Sequence, residues 1–239
     1  MRRGYVFSDL HLFSRRSVAE SYLDQIRQTA SSADVLVLNG DIFDFRWSVL
    51  PSKEESVERA IQWMREFAAS FPACRLHYIL GNHDSLPQFR EKLSALAIEK
   101  SNLTLYESHL KLGSHLFLHG DICDGGTTLE ELRSYRKKFS ELRPKGKLWN
   151  DAYMLIFHLG LQKTVYFLHP RKKLAEKIRT YLDSTDQRIL ENVTDIYFGH
   201  THAAFERFQH DGLCYHNTGC ALRGLAFRIV EFSYNESEA

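Results

Sequence analysis

Short apolar runs of strand length alternate with amphipathic stretches of helical spacing along the first half of the chain. The run Asp34 to Leu38 is almost wholly apolar, which is typical of a strand covered on both faces. Residues 52–70 keep apolar side chains on one helical face and begin with Ser52 and Glu55, the residue types of a capping box. The alternation of these two patterns predicts an α/β fold.

The second half of the chain follows a different pattern. Residues 127–191 read as helical throughout and carry an excess of Lys and Arg, whereas the rest of the chain is net negative. The strand pattern resumes at Asp195 and continues to Phe232 as what we expect to be an antiparallel run. We therefore predict a core made of residues 1–126 and 192–239, with a helical insertion at 127–191.

Polar residues follow five of the apolar runs directly. In open α/β sheets, ligands bind where the carboxyl ends of the strands meet. One such motif is common by chance, but five, each placed after a strand, favour a functional site. The motifs are Asp9-Leu-His11, Gly40-Asp41-Ile-Phe-Asp44, Gly81-Asn82-His83-Asp84, His119-Gly-Asp121 and Gly199-His200-Thr-His202.

The motifs supply a mixed set of nitrogen and oxygen donors. Imidazole suits Zn and Fe, and carboxylate oxygen suits harder ions such as Mn. Seven donors are too many for one ion and fit two divalent cations, with Asp41 as the bridging carboxylate. We expect Mn, with Fe or Zn as alternatives. The candidate metal ligands are Asp9, His11, Asp41, Asn82, His119, His200 and His202.

The remaining histidines lie in none of these motifs. A lone histidine is more often a structural or surface residue than a ligand, and we interpret these seven in that way. They are His77, His109, His115, His158, His169, His210 and His216.

Composition excludes several classes of protein. The net charge of +1 disfavours a binder of long nucleic acid, whose affinity rests on neutralising many phosphates. No apolar run reaches the about 18 residues of a membrane span. The first residues lack the apolar segment of a signal peptide, and the four cysteines form no Cys-x-x-Cys pair. We expect a cytoplasmic protein with reduced cysteines.

Taken in order, the five motifs resemble the calcineurin-like metallophosphoesterase superfamily, and the resemblance spans residues 8–202. It implies a four-layer α/β/β/α sandwich with a di-metal site at the sheet edge. It also implies a hydrolase that cleaves phosphoesters with metal-activated water. The implied ligands are Asp9, His11, Asp41 and His202 for the first ion, and Asp41, Asn82, His119 and His200 for the second.

The same resemblance implies roles for three further residues. His83 corresponds to the histidine that reaches the substrate phosphate or the leaving group. Asp84 corresponds to the residue that orients His83. Asp44 corresponds to a supporting carboxylate on His11 or on a nearby water.

A narrower resemblance concerns the substrate. Residues 8–12, the helical insertion and the stretch 171–179 are similar to the UDP-2,3-diacylglucosamine pyrophosphohydrolases of lipid A synthesis. This implies hydrolysis of a pyrophosphate bond in a UDP-linked lipid. The chain departs from that subfamily because it has His83 where Arg is typical, and Ala203 where Arg-Pro commonly follows the last motif.

The sequence therefore leaves several activities open. The substrate is a phosphodiester or pyrophosphate, lipid- or nucleotide-linked, and the alternatives are a phosphomonoesterase, a protein phosphatase or a nuclease. A non-enzymatic scaffold is disfavoured because the whole ligand set is present. The insertion is either a substrate cap or a homodimer contact through Trp149 and Phe157. Its apolar run beside Lys172 and Lys173 also suggests peripheral contact with the inner membrane surface.

Overall fold

The computed structural model describes residues 1–142, 161–186 and 188–235. The strands are β1 (Arg2–Phe7), β2 (Val35–Asn39), β3 (Arg75–Ile79), β4 (Leu103–Tyr106), β5 (His109–Leu112), β6 (His115–Leu118), β7 (Asp195–Phe198), β8 (Phe205–His210), β9 (Leu213–Asn217) and β10 (Val230–Tyr234). The helices are α1 (Leu23–Ser32), α2 (Lys53–Ser70), α3 (Pro87–Glu99), α4 (Ile122–Gly125), α5 (Leu129–Glu141), α6 (Val165–Leu168) and α7 (Arg171–Thr185).

The strands form two five-stranded sheets. The first sheet has the order β10-β1-β2-β3-β4, in which β1 to β4 run parallel and β10 pairs antiparallel with β1. Every residue of β2 is buried, as its continuous apolar sequence predicted. Helix α2 begins after Ser52, whose side chain accepts the backbone N–H of Glu55. The predicted start of this helix is therefore confirmed.

The second sheet has the order β5-β6-β7-β9-β8. The expectation of an antiparallel run after the helices is wrong, because β7 pairs parallel with both β6 and β9. The antiparallel pairs of this sheet are β5 with β6 and β8 with β9. Strand β10 crosses back to the first sheet. Short turns force neighbours such as β8 and β9 to run antiparallel, whereas the longer connections leave direction free.

Three apolar layers hold the architecture together. Residues such as Val37, Phe117 and Phe232 pack between the two sheets. Helices α1, α2 and α3 cover the outer face of the first sheet, and α4, α5 and α7 cover that of the second. The four-layer α/β/β/α sandwich is therefore confirmed.

The parallel strands of both sheets end at one edge of the sandwich. The buried Asn39, at the end of β2, joins the sheets there. Its side-chain amide donates to the carbonyl oxygens of Leu118, at 2.9 Å, and of Tyr197, at 3.3 Å. The five motifs therefore meet at this edge, where the amide of Asn39 links the two sheets by hydrogen bonds.

The described parts of the insertion are helical. Helices α5 and α7 bury Leu132, Leu174 and Ile178 against the second sheet. The division into core and insertion stays a prediction, and Trp149 and Phe157 lie outside the described residues. No helix in the described ranges is long and apolar enough to cross a bilayer.

Candidate active site

The motif loops are bound to one another by backbone hydrogen bonds. Asp9 donates its N–H to the carbonyl of Gly40 at 3.0 Å, and His11 donates to that of Asp41 at 3.0 Å. Gly199 donates to the carbonyl of His119 at 2.8 Å, which links the loops of the second sheet. All seven candidate ligands consequently lie at a single, largely buried edge.

Five of these seven residues have a left-handed backbone. Their φ angles lie between 49° and 61°, a region that costs roughly 1–2 kcal/mol per residue for anything but glycine. Strain of this kind concentrates at functional sites, where the surrounding structure holds it in place. The five residues are Asp9, His11, Asp41, His200 and His202.

Two motif glycines allow the loops to approach the acidic side chains. A Cβ atom on Gly81 would overlap Oδ1 of Asp41, and one on Gly199 would overlap Oγ of Ser8 and Oδ2 of Asp9. Alanine at either position would therefore displace a carboxylate of the site. This close approach explains the glycines of these two motifs.

One group of donor atoms comprises Asp9, His11 and His202. Oδ1 of Asp9 lies 3.3 Å from Nε2 of His202 and 3.7 Å from Nε2 of His11. The two Nε2 atoms are 3.1 Å apart. Oδ1 of Asp9 is buried and has no hydrogen-bond partner among the described residues. A carboxylate oxygen and two facing imidazole nitrogens form a pocket of donors that suits a cation.

A second group comprises Asp41, Asn82, His119 and His200. Nε2 of His119 lies 3.2 Å from Oδ2 of Asp41, and Nδ1 of His200 lies 3.0 Å from Oδ1 of Asn82. Asp41 also belongs to a cluster with His11, so its carboxylate lies between the two groups. This is the position of a bridging ligand.

The outer nitrogens of two histidines are occupied. Nδ1 of His119 donates to the carbonyl of Asn39 at 3.0 Å, which leaves the lone pair of Nε2 facing the site. Nε2 of His200 donates to Asp124 at 2.9 Å, which leaves Nδ1 facing Asn82. Metal-binding histidines are held in this way by an acceptor behind the ring. The residues present therefore fit two divalent cations.

Opposite charges at this edge shift the protonation of the buried groups. Burial alone lowers the pKa of His11, but hydrogen bonds to Asp44 and Asp9 outweigh it and raise the pKa to about 9. Burial likewise opposes protonation of His119, but the charge of Asp41 and its hydrogen bond raise the pKa to about 10. Burial raises the pKa of Asp41, yet His119 and its neighbours bring it well below the usual range. Protons thus compete with cations for the same atoms.

Asp44 connects His83 to the rest of the site. Its Oδ1 accepts a hydrogen bond from Nδ1 of His83 at 2.9 Å, and its Oδ2 lies 3.5 Å from Nδ1 of His11. Arg16 approaches the same Oδ2 at 3.4 Å. The ring of His83 packs against Phe139 of α5, with ring centroids 4.7 Å apart. Helix α5 of the insertion therefore reaches the site directly.

That Asp84 orients His83 stays a prediction, and the described hydrogen bonds of Asp84 go to Tyr78 and to the backbone of two site loops. Asp84 accepts hydrogen bonds from the hydroxyl of Tyr78 at 2.6 Å and from the backbone N–H groups of Gly81 and Ile42 at 2.7 and 3.0 Å. Burial, together with the charge of Asp41, raises the pKa of Asp84 to about 7. Asp84 holds two loops together, and the contact with the imidazole is made by Asp44.

Sequence reasoning assigned no role to Asp121 and Arg136. The buried guanidinium of Arg136 binds Asp121 through two hydrogen bonds of 2.7 and 2.8 Å and donates to the carbonyl of Leu80 at 2.7 Å. This pair fastens α5 to the site edge. Asp121 belongs to the His-Gly-Asp motif and could have been singled out, but the position of Arg136 on a basic helix gave no signal.

A cleft lies beside the site, between α3 and α5. It has a volume of about 510 Å³ and is lined on one side by Ser85, which follows the His83 loop. Arg90, Arg133 and Lys137 contribute cationic groups to its wall. Its position and charge suit part of an anionic substrate.

Comparison with known proteins agrees with this geometry. The family model described as calcineurin-like phosphoesterase matches residues 3–204. UDP-2,3-diacylglucosamine hydrolase from Pasteurella multocida is 29% identical over 82% of this chain and 73% of its own length. The protein of the same name from Photorhabdus laumondii is 25% identical over 88% of this chain and 79% of its own.

Among solved structures, a dimetal phosphatase from Danio rerio has a similar fold. Its TM-score is 0.53 at 12% identity, with 98% of this chain and 93% of that chain covered. The family match agrees with the clusters of carboxylates and histidines that the structure places at the sheet edge. The chain belongs to the calcineurin-like phosphoesterase family and is a metal-dependent phosphoester hydrolase.

Proposed function

We propose that this enzyme hydrolyses a phosphodiester or pyrophosphate bond of a lipid-linked nucleotide, with a UDP-linked acylated sugar as the substrate to test first. The names of the relatives from Pasteurella multocida and Photorhabdus laumondii support the substrate class. In this proposal the insertion, residues 127–191, acts as the substrate cap.

The observation that carries the proposal is an exposed apolar pair beside the site. Phe167 and Leu168, at the end of α6, are 86% and 69% exposed. The next residue, His169, has its pKa lowered by burial, and the charges of Asp124 and His200 act on it as well. The apolar pair therefore directly precedes a residue on which the charges of the metal edge act. Acyl chains bound there would remove apolar surface from water, at about 25 cal/mol per Å².

Cationic groups of the insertion suit the phosphates of such a substrate. Lys137 lines the cleft beside the site, and α7 begins with Arg171, Lys172 and Lys173. Arg133 is bound to Glu107 at 2.7 and 2.9 Å, so a substrate phosphate would compete with that carboxylate. The same apolar and basic combination would favour contact with an anionic membrane surface.

The catalytic groups divide between cation binding and proton transfer. Asp9, His11, Asp41 and His202 would hold one ion, and Asp41, Asn82, His119 and His200 the other. When bound, two divalent cations supply Lewis acidity and an activated water. Mn²⁺ is our first choice because the donors mix nitrogen with hard oxygen.

His83 is the group that we assign to the leaving oxygen. Asp44 accepts the hydrogen of its Nδ1 and thereby fixes the ring, so that Nε2 is left to donate to the substrate. Phe139 packs on the ring and limits the approach of water from that side. Protonated His83 can stabilise charge on the phosphoryl group or protonate the leaving group.

The first experiment is a substrate panel on Mn²⁺-loaded protein. It contains p-nitrophenyl phosphate, bis-p-nitrophenyl phosphate, a UDP-linked diacylglucosamine and a short single-stranded oligonucleotide. We expect release of UMP from the lipid, with weaker cleavage of the small diester. Cleavage of the monoester or the oligonucleotide with an inert lipid would overturn the proposed substrate class. No turnover of any compound would contradict the hydrolase itself.

A pair of variants tests the apolar contact. Phe167→Ser should raise KM for the lipid roughly tenfold or more, since a buried Phe contributes about 1.5–3 kcal/mol, and should leave cleavage of bis-p-nitrophenyl phosphate unchanged. Ile98→Ser is the matched control, because Ile98 is 89% exposed on α3 and belongs to no site described above. Equal effects of the two variants on the lipid would refute the acyl contact.

Two further variants separate the roles within the site. Asp41→Ala should remove bound metal and abolish turnover. His83→Ala should keep the metal content of the wild type and lower kcat by a factor of roughly 10²–10⁴, the usual contribution of acid–base catalysis. Metal analysis of each purified variant distinguishes these outcomes, and full activity of Asp41→Ala would refute the ligand assignment.

A further inference from the structure

A second cluster of chemically active side chains lies at the opposite edge of the second sheet. Strands β6 and β7 begin there, with His115 and Asp195, and run towards the site edge, where His119 and His200 follow them. Asp195 pairs with Cys214 of β9 in the strand register. His216 follows Cys214 by two residues, so both side chains are on the same face.

The donor atoms of this cluster are close together. One ligand atom from each of Asp195, Cys214 and His216 lies within 4.8 Å of the other two. Nε2 of His216 is 2.9 Å from Oδ1 of Asp195. Tetrahedral zinc with bonds of about 2.0–2.3 Å needs ligand separations of roughly 3.4–3.8 Å. Small side-chain adjustments would bring the three donors to that spacing.

His216 supplies a second, independent observation. Its side chain is only 7% exposed, and the described residues offer no hydrogen-bond partner to its Nδ1. A neutral imidazole has one donor and one acceptor nitrogen, and Nε2 is engaged by the carboxylate. Because Nδ1 has no partner among the described residues, the ring proton can move to it, which leaves the lone pair of Nε2 facing the cluster for a metal ion. Its ring is also fixed, because it stacks on Tyr197 with centroids 4.6 Å apart.

The surroundings leave room for an ion and a water. Asp195, Cys214 and His216 line a cavity of about 510 Å³, together with Glu206 and Arg207. Burial and the charge of Asp195 raise the pKa of the Cys214 thiol, so that the free group is neutral. The four cysteines of the chain form no disulfide, so the Cys214 thiol is free to bind a metal ion.

We propose that Asp195, Cys214 and His216 bind a third metal ion, for which Zn²⁺ is the best match. The thiolate distinguishes this site from the active site, whose candidate ligands are all nitrogen and oxygen, because soft sulfur selects Zn²⁺ over Mn²⁺ or Mg²⁺. On binding, the thiol proton of Cys214 leaves to solvent and the thiolate donates an electron pair to the ion. The ion joins β7 to β9 and is structural, with water from the cavity as the fourth ligand.

The test uses Co²⁺ as a probe that reports sulfur ligation. Purified metal-free protein, titrated with Co²⁺, should bind three equivalents and develop a thiolate-to-cobalt charge-transfer band in the near ultraviolet. Cys214→Ser should bind two equivalents, lack the band and keep phosphoesterase activity. Asp41→Ala should keep the band although it loses the active-site metal.

Cys220→Ser is the matched control, because Cys220 is buried near the active site beside His202. It should keep the charge-transfer band. A band that persists in Cys214→Ser but disappears in Cys220→Ser would overturn the proposal, and so would a wild-type protein that binds two equivalents without a thiolate band. If Cys214→Ser does not fold, Cys220→Ser decides the question, because a band in this variant excludes the active-site cysteine and a missing band overturns the proposal. None of these outcomes depends on which phosphoester the enzyme cleaves.

Discussion

Replacing Arg136 with methionine should destabilise the fold by about 3–5 kcal/mol, the usual effect of breaking a buried ion pair. The substitution leaves Asp121 buried without its guanidinium, and it also removes the hydrogen bond to the carbonyl of Leu80. Two charge-assisted hydrogen bonds to Asp121 and two to the carbonyls of Leu80 and Glu107 are lost together. For a chain of 239 residues this corresponds to a decrease in Tm of roughly 10 °C.

The same helix provides a matched control. Arg133 binds Glu107 with the same two-bond geometry, at 2.9 and 2.7 Å, but both side chains are substantially exposed. Solvent screens such a pair, so Arg133→Met should cost about 0–1 kcal/mol. Circular dichroism should follow the thermal unfolding of both variants after a chelator has removed bound metal. The Tm values then report the two ion pairs without a contribution from metal binding.

The two arginine variants should also differ in catalytic activity. Arg136 fastens α5, and α5 carries Phe139 against the ring of His83. Arg136→Met should therefore lower kcat on bis-p-nitrophenyl phosphate below the melting temperature, whereas Arg133→Met should not. The expected decrease in the Tm of Arg136→Met is roughly 10 °C. A decrease of less than about 2 °C, or equal Tm values for the two variants, would refute the reasoning.

Three further predictions concern the site itself. Gly199→Ala should abolish activity and lower Tm, because its Cβ would displace side chains of the site. Gly212 has φ +76° and open space around it, so Gly212→Ala should lower the free energy of unfolding by only about 1 kcal/mol. Similar losses in both variants would count against this explanation. Asp44→Asn should lower kcat by roughly 10–100-fold, and unchanged kinetics would exclude its role in fixing the imidazole. The pKa values of His11 and His119 are raised to about 9 and about 10 in the folded protein. Protonation of these histidines therefore stabilises the metal-free fold fully below pH 6.5, their ordinary pKa, and this stabilisation is lost as pH rises through about 9 and about 10. The Tm of EDTA-treated protein should thus fall with rising pH while that of Mn²⁺-loaded protein does not, and parallel curves would contradict the assignment.

The sequence predicted the site better than the strand pairing. Each motif is local: polar residues follow an apolar run directly, which suffices to put Asp9, Asp41 and His119 at strand ends. Pairing depends on contacts between distant segments, so the return of β10 to β1, more than 220 residues away, left no local signal. An alternating or continuous apolar pattern indicates that a strand forms and not which strand lies beside it.

The details of the site depend on the same long-range contacts. The resemblance assigned the orientation of His83 to Asp84, and the structure adds a hydrogen bond from the imidazole to Asp44, 39 residues earlier. The ion pair between Asp121 and Arg136 requires the docking of a whole helix. The left-handed backbone of residues such as Asp41 likewise depends on the loops around it, since a positive φ is uncommon for any residue other than glycine.

The position of β1 has a consequence for synthesis on the ribosome. β1 is made first, yet it lies between β2 and β10, and β10 is made last. The candidate ligands extend from Asp9 to His202, so a nascent chain that has emerged only as far as β6 has half a site and an open sheet edge. Folding to the active form must await the synthesis of β10, and until then the exposed edge of β1 is available to chaperones or to misfolded partners.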